Sequence, residues 1–129
     1  MEQPQYLIDT NVIIDYLGRN LPASGMNFMN SVIDSIPVVS VITKIELLSF
    51  NTAEEHYRIL TDFIADAIVL DLTSDVVEHS IATRKNYKTK LPDAIIAATA
   101  LANNLSLITR NGIDFKNITG LNVIDPWNL

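Results

Sequence analysis

The sequence predicts an α/β fold, a parallel sheet between two helical layers, and three observations carry that expectation. Short apolar runs rich in Val, Ile and Leu recur along the chain at residues 5–8, 37–41, 67–72, 105–109 and 121–124. They do not alternate cleanly between apolar and polar positions, as expected of strands covered on both faces. Segments with helical spacing lie between them, and strands alternating with helices describe a parallel sheet. The chain has 129 residues, 48% of them hydrophobic and 19% charged. One domain over residues 1–129 accounts for that length, and no repeat, low-complexity stretch or linker divides it.

Taken in order, residues 5–8 form the first strand, and Asp9-Thr10-Asn11 opens a helix with three side chains that can cap it. Residues 23–36 carry Met26, Phe28, Met29, Val32, Ile33 and Ile36. Most of these belong to a core face. Phe28 falls off the stripe, and the two Met residues would also suit an adaptable partner groove. The second strand, 37–41, runs into Val41-Ile42-Thr43-Lys44-Ile45-Glu46-Leu47-Leu48. Residues 53–65 gather Tyr57, Leu60 and Ile64 on one helical face and leave Glu54, Glu55, Arg58 and Asp62 elsewhere. The third strand, 67–72, precedes a helix over 75–87, which is expected to lie across the sheet. Residues 92–104 begin with Pro at a first-turn position and end in an Asn pair, which are start and stop signals. That helix leads into the fourth strand, and Asn111 with Asp114 marks a further helix start before the fifth.

Composition removes several function classes. The chain has no cysteine, so it builds no disulfide scaffold, thiolate metal site or cysteine nucleophile. His56 and His79 are the only histidines, and both read as surface residues. Nine Lys and Arg against fifteen Asp and Glu give a net charge of −6, which disfavours broad, non-specific nucleic-acid binding. The first nine residues lack the basic and apolar stretches of a secretory signal. The longest apolar run, 94–102, is interrupted by Thr99 and is far short of a membrane span. A soluble, cytoplasmic protein is the expectation.

Four carboxylates carry the chemical signal. Asp9 ends the first strand, Glu46 sits in an apolar stretch after the second, Asp93 lies in the first turn of an apolar helix, and Asp114 follows the fourth strand. Ligands of open parallel sheets bind at the carboxyl edge of the strands, and all four acids map to that edge. Capping explains Asp9, Asp93 and Asp114 one at a time. It does not explain Glu46, whose own bland account is a solvent-facing helix residue or an ion pair with Lys44 or a distant base. Four clustered carboxylates repel one another unless a cation neutralises them, and oxygen ligands without His or Cys suit Mg²⁺ or Mn²⁺ rather than zinc.

Ile8-Asp9-Thr10-Asn11, Ser40-Val41-Ile42-Thr43-Lys44-Ile45-Glu46-Leu47, Leu91-Pro92-Asp93-Ala94, Thr109-Arg110-Asn111-Gly112-Ile113-Asp114-Phe115 and Ile124-Asp125-Pro126-Trp127 together resemble the PIN-domain family, and within it the VapC-like toxins of toxin–antitoxin pairs. The likeness spans nearly the whole chain. It implies a three-layer α/β/α sandwich with a central five-stranded parallel sheet. It also implies an Mg²⁺- or Mn²⁺-dependent endoribonuclease that leaves 5′-phosphate and 3′-hydroxyl ends. By that likeness the acidic quartet falls on Asp9, Glu46, Asp93 and Asp114, with Thr10, Asn11 and Thr109 supporting the metal shell. Asn111, on the same turn as Asp114, is a weaker member. An antitoxin partner and a homodimer are implied as well.

Arg84, Lys85, Lys88 and Lys90 cluster just before Asp93, while Arg110 and Lys116 flank Asp114. Asp93 and Asp114 are the only acids between Arg84 and Lys116. Arg84, Lys90, Arg110 and Lys116 are therefore candidates to hold RNA phosphates around an anionic pocket. A solvated helix face with a charged loop is the alternative, and it suits Lys85 and Lys88 better. Two other functions compete. A non-catalytic PIN-like interaction module would keep the fold without binding metal. A phosphoacceptor signalling domain would want paired acids after the first strand and a Lys after the last, whereas here Asp9 stands alone and the last strand leads to Pro126-Trp127.

Overall fold

A computed structural model describes residues 5–129, so the expectation about the first residues falls partly outside it, at residues 1–4. The chain runs β1 (Tyr6–Ile8), α1 (Thr10–Leu17), α2 (Ala23–Asp34), β2 (Val38–Ser40), α3 (Val41–Leu48), α4 (Glu54–Asp66), β3 (Ile68–Leu70), α5 (Ser74–Asn86), α6 (Leu91–Ala102), β4 (Ser106–Ile108), α7 (Gly112–Phe115) and β5 (Val123–Ile124). All five predicted strands are present and every pairing is parallel. They divide into a three-stranded ladder, β1-β4-β5, and a two-stranded ladder, β2-β3. β1 and β2 lie against each other at the junction. The expected layer of five parallel strands is present, hydrogen-bonded as two ladders side by side. Strands of two or three residues leave little backbone with which to close a ladder across that seam.

The two faces of this layer are read directly from strand alternation, since successive side chains on a strand point to opposite sides. Ile8, Val39 and Ile108 pack with Val12, Ile13, Met29, Val32, Leu47, Leu60 and Ile64, the buried residues of α1 to α4. Their neighbours Leu7, Val38 and Leu107 point the other way, into a second cluster with Ile96, Ala97, Ala100, Phe115 and Ile118. Helices therefore cover both faces, and the three-layer sandwich stands. The edge strand β3 departs from the expectation of full burial, because Ile68 is exposed.

α6 is the most deeply set helix, with every residue from Ala94 to Ala100 buried. Its small side chains let a neighbour approach closely, and α5 packs chiefly against α6 rather than across the strands. That corrects the expected placement of the segment 75–87. Phe28 is likewise resolved: its ring meets Tyr6 edge-on at 5.5 Å and lies against the first cluster. The C-terminal segment crosses α2 so tightly that a Cβ on Gly25 would stand 2.1 Å from the Pro126 carbonyl oxygen. No helix among the described residues is long and apolar enough to cross a membrane.

Candidate functional site

Asp9 caps α1 and does more than cap it. One carboxylate oxygen accepts from the Thr10 N–H at 2.8 Å, and the other accepts from the Thr109 hydroxyl at 2.7 Å. Strand register explains the second bond. Ile8 pairs with Ile108 in the β1–β4 ladder, the Asp9 N–H donates to the Ile108 carbonyl at 2.9 Å, and Thr109 emerges beside Asp9. Both residues are buried, Asp9 at 5% exposure and Thr109 at 0%. Burial pushes the Asp9 carboxyl above its ordinary value, the two hydrogen bonds pull it back, and the charges of Asp93 and Glu46 add to the upward push.

Glu46 projects from α3 and is exposed. Its partner is neither Lys44 nor a distant base but the Thr10 hydroxyl, which donates to Glu46 Oε1 at 2.6 Å. The same hydroxyl lies 3.0 Å from Thr43 Oγ1, so the start of α1 is fastened to α3 by two side chains. Asp93 occupies the first turn of α6 and is half-buried. Burial pushes its carboxyl up, the charge of Asp114 adds to this, Lys90 opposes it, and Glu46 contributes a further push. Asp114 is exposed on α7, next to the fully buried Phe115 that anchors that short helix.

These mutual effects link all four acids in one network of like charge. None of them forms an ion pair among the described residues. Their spacing is wider than a closed cage: no three His, Asp or Glu side chains among the described residues come together around one point. The arrangement is that of carboxylates held near one another with no ion pair closed on them among the described residues, although the charge of Lys90 reaches Asp93.

The supporting residues divide similarly. Asn11 Oδ1 accepts from the Arg110 N–H at 3.4 Å, tying the start of α1 to the end of β4. Asn111 donates its backbone N–H to Thr109 Oγ1 at 3.1 Å. It stands at the start of α7, but its side chain makes no capping bond there. Among the basic candidates, Arg84 donates to the Thr89 carbonyl at 3.1 Å. Arg110 stacks over Trp127 at 4.4 Å and pairs with Asp15 at 3.9 Å. Lys90 and Lys116 are exposed at the ends of α6 and α7. Sequence reasoning missed Thr43, Asp15 and Trp127 as members of this surrounding shell. Thr43 had a usable signal, standing one helical turn before Glu46.

The chain matches the PIN domain family over residues 6–121, and it belongs to that family. Solved structures agree. A toxin–antitoxin complex from Klebsiella pneumoniae is 31% identical with a TM-score of 0.75, covering 97% of this chain and 100% of that one. VapBC-1 from nontypeable Haemophilus influenzae is 28% identical with a TM-score of 0.78, over 94% of this chain and 97% of that one. DNA-bound VapBC from Salmonella typhimurium, at 23% identity and a TM-score of 0.81, shares the fold over 96% of this chain and 99% of that one. Within the family the chain is VapC-like. No curated protein matches the sequence.

Proposed function

We propose that this chain is a divalent-metal-dependent endoribonuclease and the toxin of a toxin–antitoxin pair, with Asp9, Glu46, Asp93 and Asp114 as its metal-holding and catalytic residues. The observation that carries the reading is the like-charge network of those four acids, gathered from β1, α3, α6 and α7 with no ion pair closed on any of them among the described residues. Oxygen donors without nitrogen or sulfur fit Mg²⁺ or Mn²⁺, and an unpaired carboxylate raised by burial is the state a cation would relieve. A bound divalent ion supplies Lewis-acid chemistry for phosphodiester hydrolysis, activating water and neutralising charge on the phosphate.

The chain's own residues have separable tasks. Asp9, fixed at a strand end by Thr10 and Thr109, is the rigid central ligand. Glu46 is aimed by the Thr10 hydroxyl. Asp93 and Asp114 complete the set from the opposite helices, with Asn11, Thr109 and Asn111 shaping the turn behind them. Lys90 and Lys116, exposed beside Asp93 and Asp114, are suited to hold RNA phosphates. Arg84 and Arg110 are each partly engaged, Arg84 by the Thr89 carbonyl and Arg110 by Asp15 and Trp127, and offer RNA their remaining N–H groups. The likeness to chains solved as toxin–antitoxin complexes supports a cognate antitoxin as partner. A homodimer and a cytoplasmic setting complete the proposal.

One observation favours a second reading, a non-catalytic PIN-like interaction module: no three acids among the described residues close around one point. The deciding experiment is cleavage of a mixed RNA pool by purified protein in Mn²⁺, Mg²⁺ or chelator, with Asp9→Ala prepared in parallel. Metal-dependent cutting that disappears in the variant is the expected result. Neither cutting nor Mn²⁺ binding by the wild type would leave the interaction module in its place.

A further inference from the structure

Tyr87 closes α5, and its hydroxyl makes two bonds to one distant residue. It donates to Thr119 Oγ1 at 2.9 Å and accepts from the Thr119 N–H at 3.0 Å. These residues join the two segments that carry Asp93 and Asp114. The path from Tyr87 to Asp93 is short and shaped, because Arg84 holds the Thr89 carbonyl and the Ala94 N–H donates to the Lys90 carbonyl at 2.9 Å. The path from Asp114 to Thr119 is equally tight. Lys116 N–H donates to the Gly112 carbonyl at 2.8 Å and Ile118 N–H to the Phe115 carbonyl at 3.1 Å, with both Phe115 and Ile118 buried. The Tyr87 ring rests on the same cluster.

No strand ladder joins these two segments: β3 precedes the first, and β4 and β5 flank only the second. Asp93 and Asp114 repel each other across the gap. Buried Ile96, Ala97, Phe115 and Ile118 share one cluster that already holds α6 near α7, and the Tyr87–Thr119 bonds add a polar fastening to it. Any widening left in the free protein would be subtracted from the affinity for a cation. A ligand set held in place beforehand avoids that cost. We infer that the Tyr87–Thr119 pair is a tether that preorganises Asp93 and Asp114 for a single divalent ion, which makes Tyr87 a positioning residue of the site. The inference rests on the metal-dependent reading above.

The test is calorimetric titration of Mn²⁺ into the intact chain, well below its unfolding temperature, for wild type, Tyr87→Phe, Thr119→Val, Thr119→Ser and Asp93→Asn. Tyr87→Phe keeps the ring packed against the core and deletes both bonds, so the Kd for Mn²⁺ should rise about fivefold, two solvent-exposed hydrogen bonds at the low end of the usual range. Thr119→Val, which keeps the backbone N–H, should raise it about twofold. Thr119→Ser keeps the hydroxyl and should bind as the wild type does. A role confined to stability would lower the melting temperature of these variants and leave the Kd of the folded protein unchanged. Tyr87→Phe binding within twofold of the wild type, while Asp93→Asn loses binding, would overturn the tether and leave the metal site standing. Wild type that takes up no Mn²⁺, or Asp93→Asn that binds unchanged, would overturn the metal site and the tether together.

Discussion

Thr109→Val removes one hydroxyl from beneath the site and almost no volume. The lost interaction is the 2.7 Å bond from Thr109 Oγ1 to Asp9, a carboxylate only 5% exposed. A hydrogen bond to a charged group contributes about 1.5–3 kcal/mol, and leaving a buried acceptor short of a partner falls in the same range. The Asn111 N–H also loses its acceptor, but Asn111 is exposed and water can replace it. With an unfolding entropy of about 2.1 cal/mol/K per residue, a domain of this length loses about 4 °C of Tm per kcal/mol, so the variant should melt about 6–11 °C lower.

The pH dependence sharpens the test. The Thr109 bond favours ionised Asp9, so removing it raises further a carboxyl already lifted by burial. The deficit is therefore complete where Asp9 is charged, above its raised value in the variant. It shrinks as pH falls through that value toward the ordinary carboxylate range, where protonated Asp9 needs the bond less. Thermal and urea unfolding in chelator between neutral pH and pH 4, with Thr109→Ser as control, measure this. A deficit below about 0.5 kcal/mol at neutral pH, or one that does not change with pH, would refute the account of Asp9 as a buried charge held by Thr109.

Two further outcomes are expected. Asp93→Asn removes a charge that burial and Asp114 disfavour, at the cost of a helix-start interaction worth about 0.3–1 kcal/mol, so in chelator its neutral-pH stability should equal or exceed that of the wild type. Because the folded-state value is raised, any advantage belongs to the range above it and fades as pH falls and wild-type Asp93 takes up its proton. Mn²⁺ at a hundred times Kd should stabilise the wild type by about 2.7 kcal/mol and the variant hardly at all; a large loss in chelator would instead mark Asp93 as a structural cap. Gly25→Ala, which sets a Cβ 2.1 Å from the Pro126 carbonyl oxygen, should cost about 1–3 kcal/mol in urea unfolding. Wild-type stability in that variant would mean that the C-terminal segment moves aside freely.

Much of this protein was legible from local pattern. The five apolar runs became the five strands, Leu60 and Ile64 of the expected stripe became the inner face of α4 while Tyr57 stayed partly exposed, and Pro92 stands in the first turn of α6. The ends of strands and helices also marked Asp9, Asp93 and Asp114, because capping and chain reversal leave a local signature. Glu46 stood out as a charge in an apolar stretch, although the sequence did not reveal that the Thr10 hydroxyl is its partner.

What the sequence determined by itself was the alternation of elements, the family likeness and the candidacy of the four acids, all of which are written in residues close to one another. The tertiary structure alone decided which distant groups meet. The β1–β4 register sets Thr109 against Asp9 across 100 positions, and the fold brings Tyr87 to Thr119 across 32. It also divided the strands into two ladders, turned Arg110 toward Trp127 and Asp15, and seated α5 on α6. Such contacts depend on strand register and on how closely small residues let two helices approach, and both are settled by the whole chain packing at once.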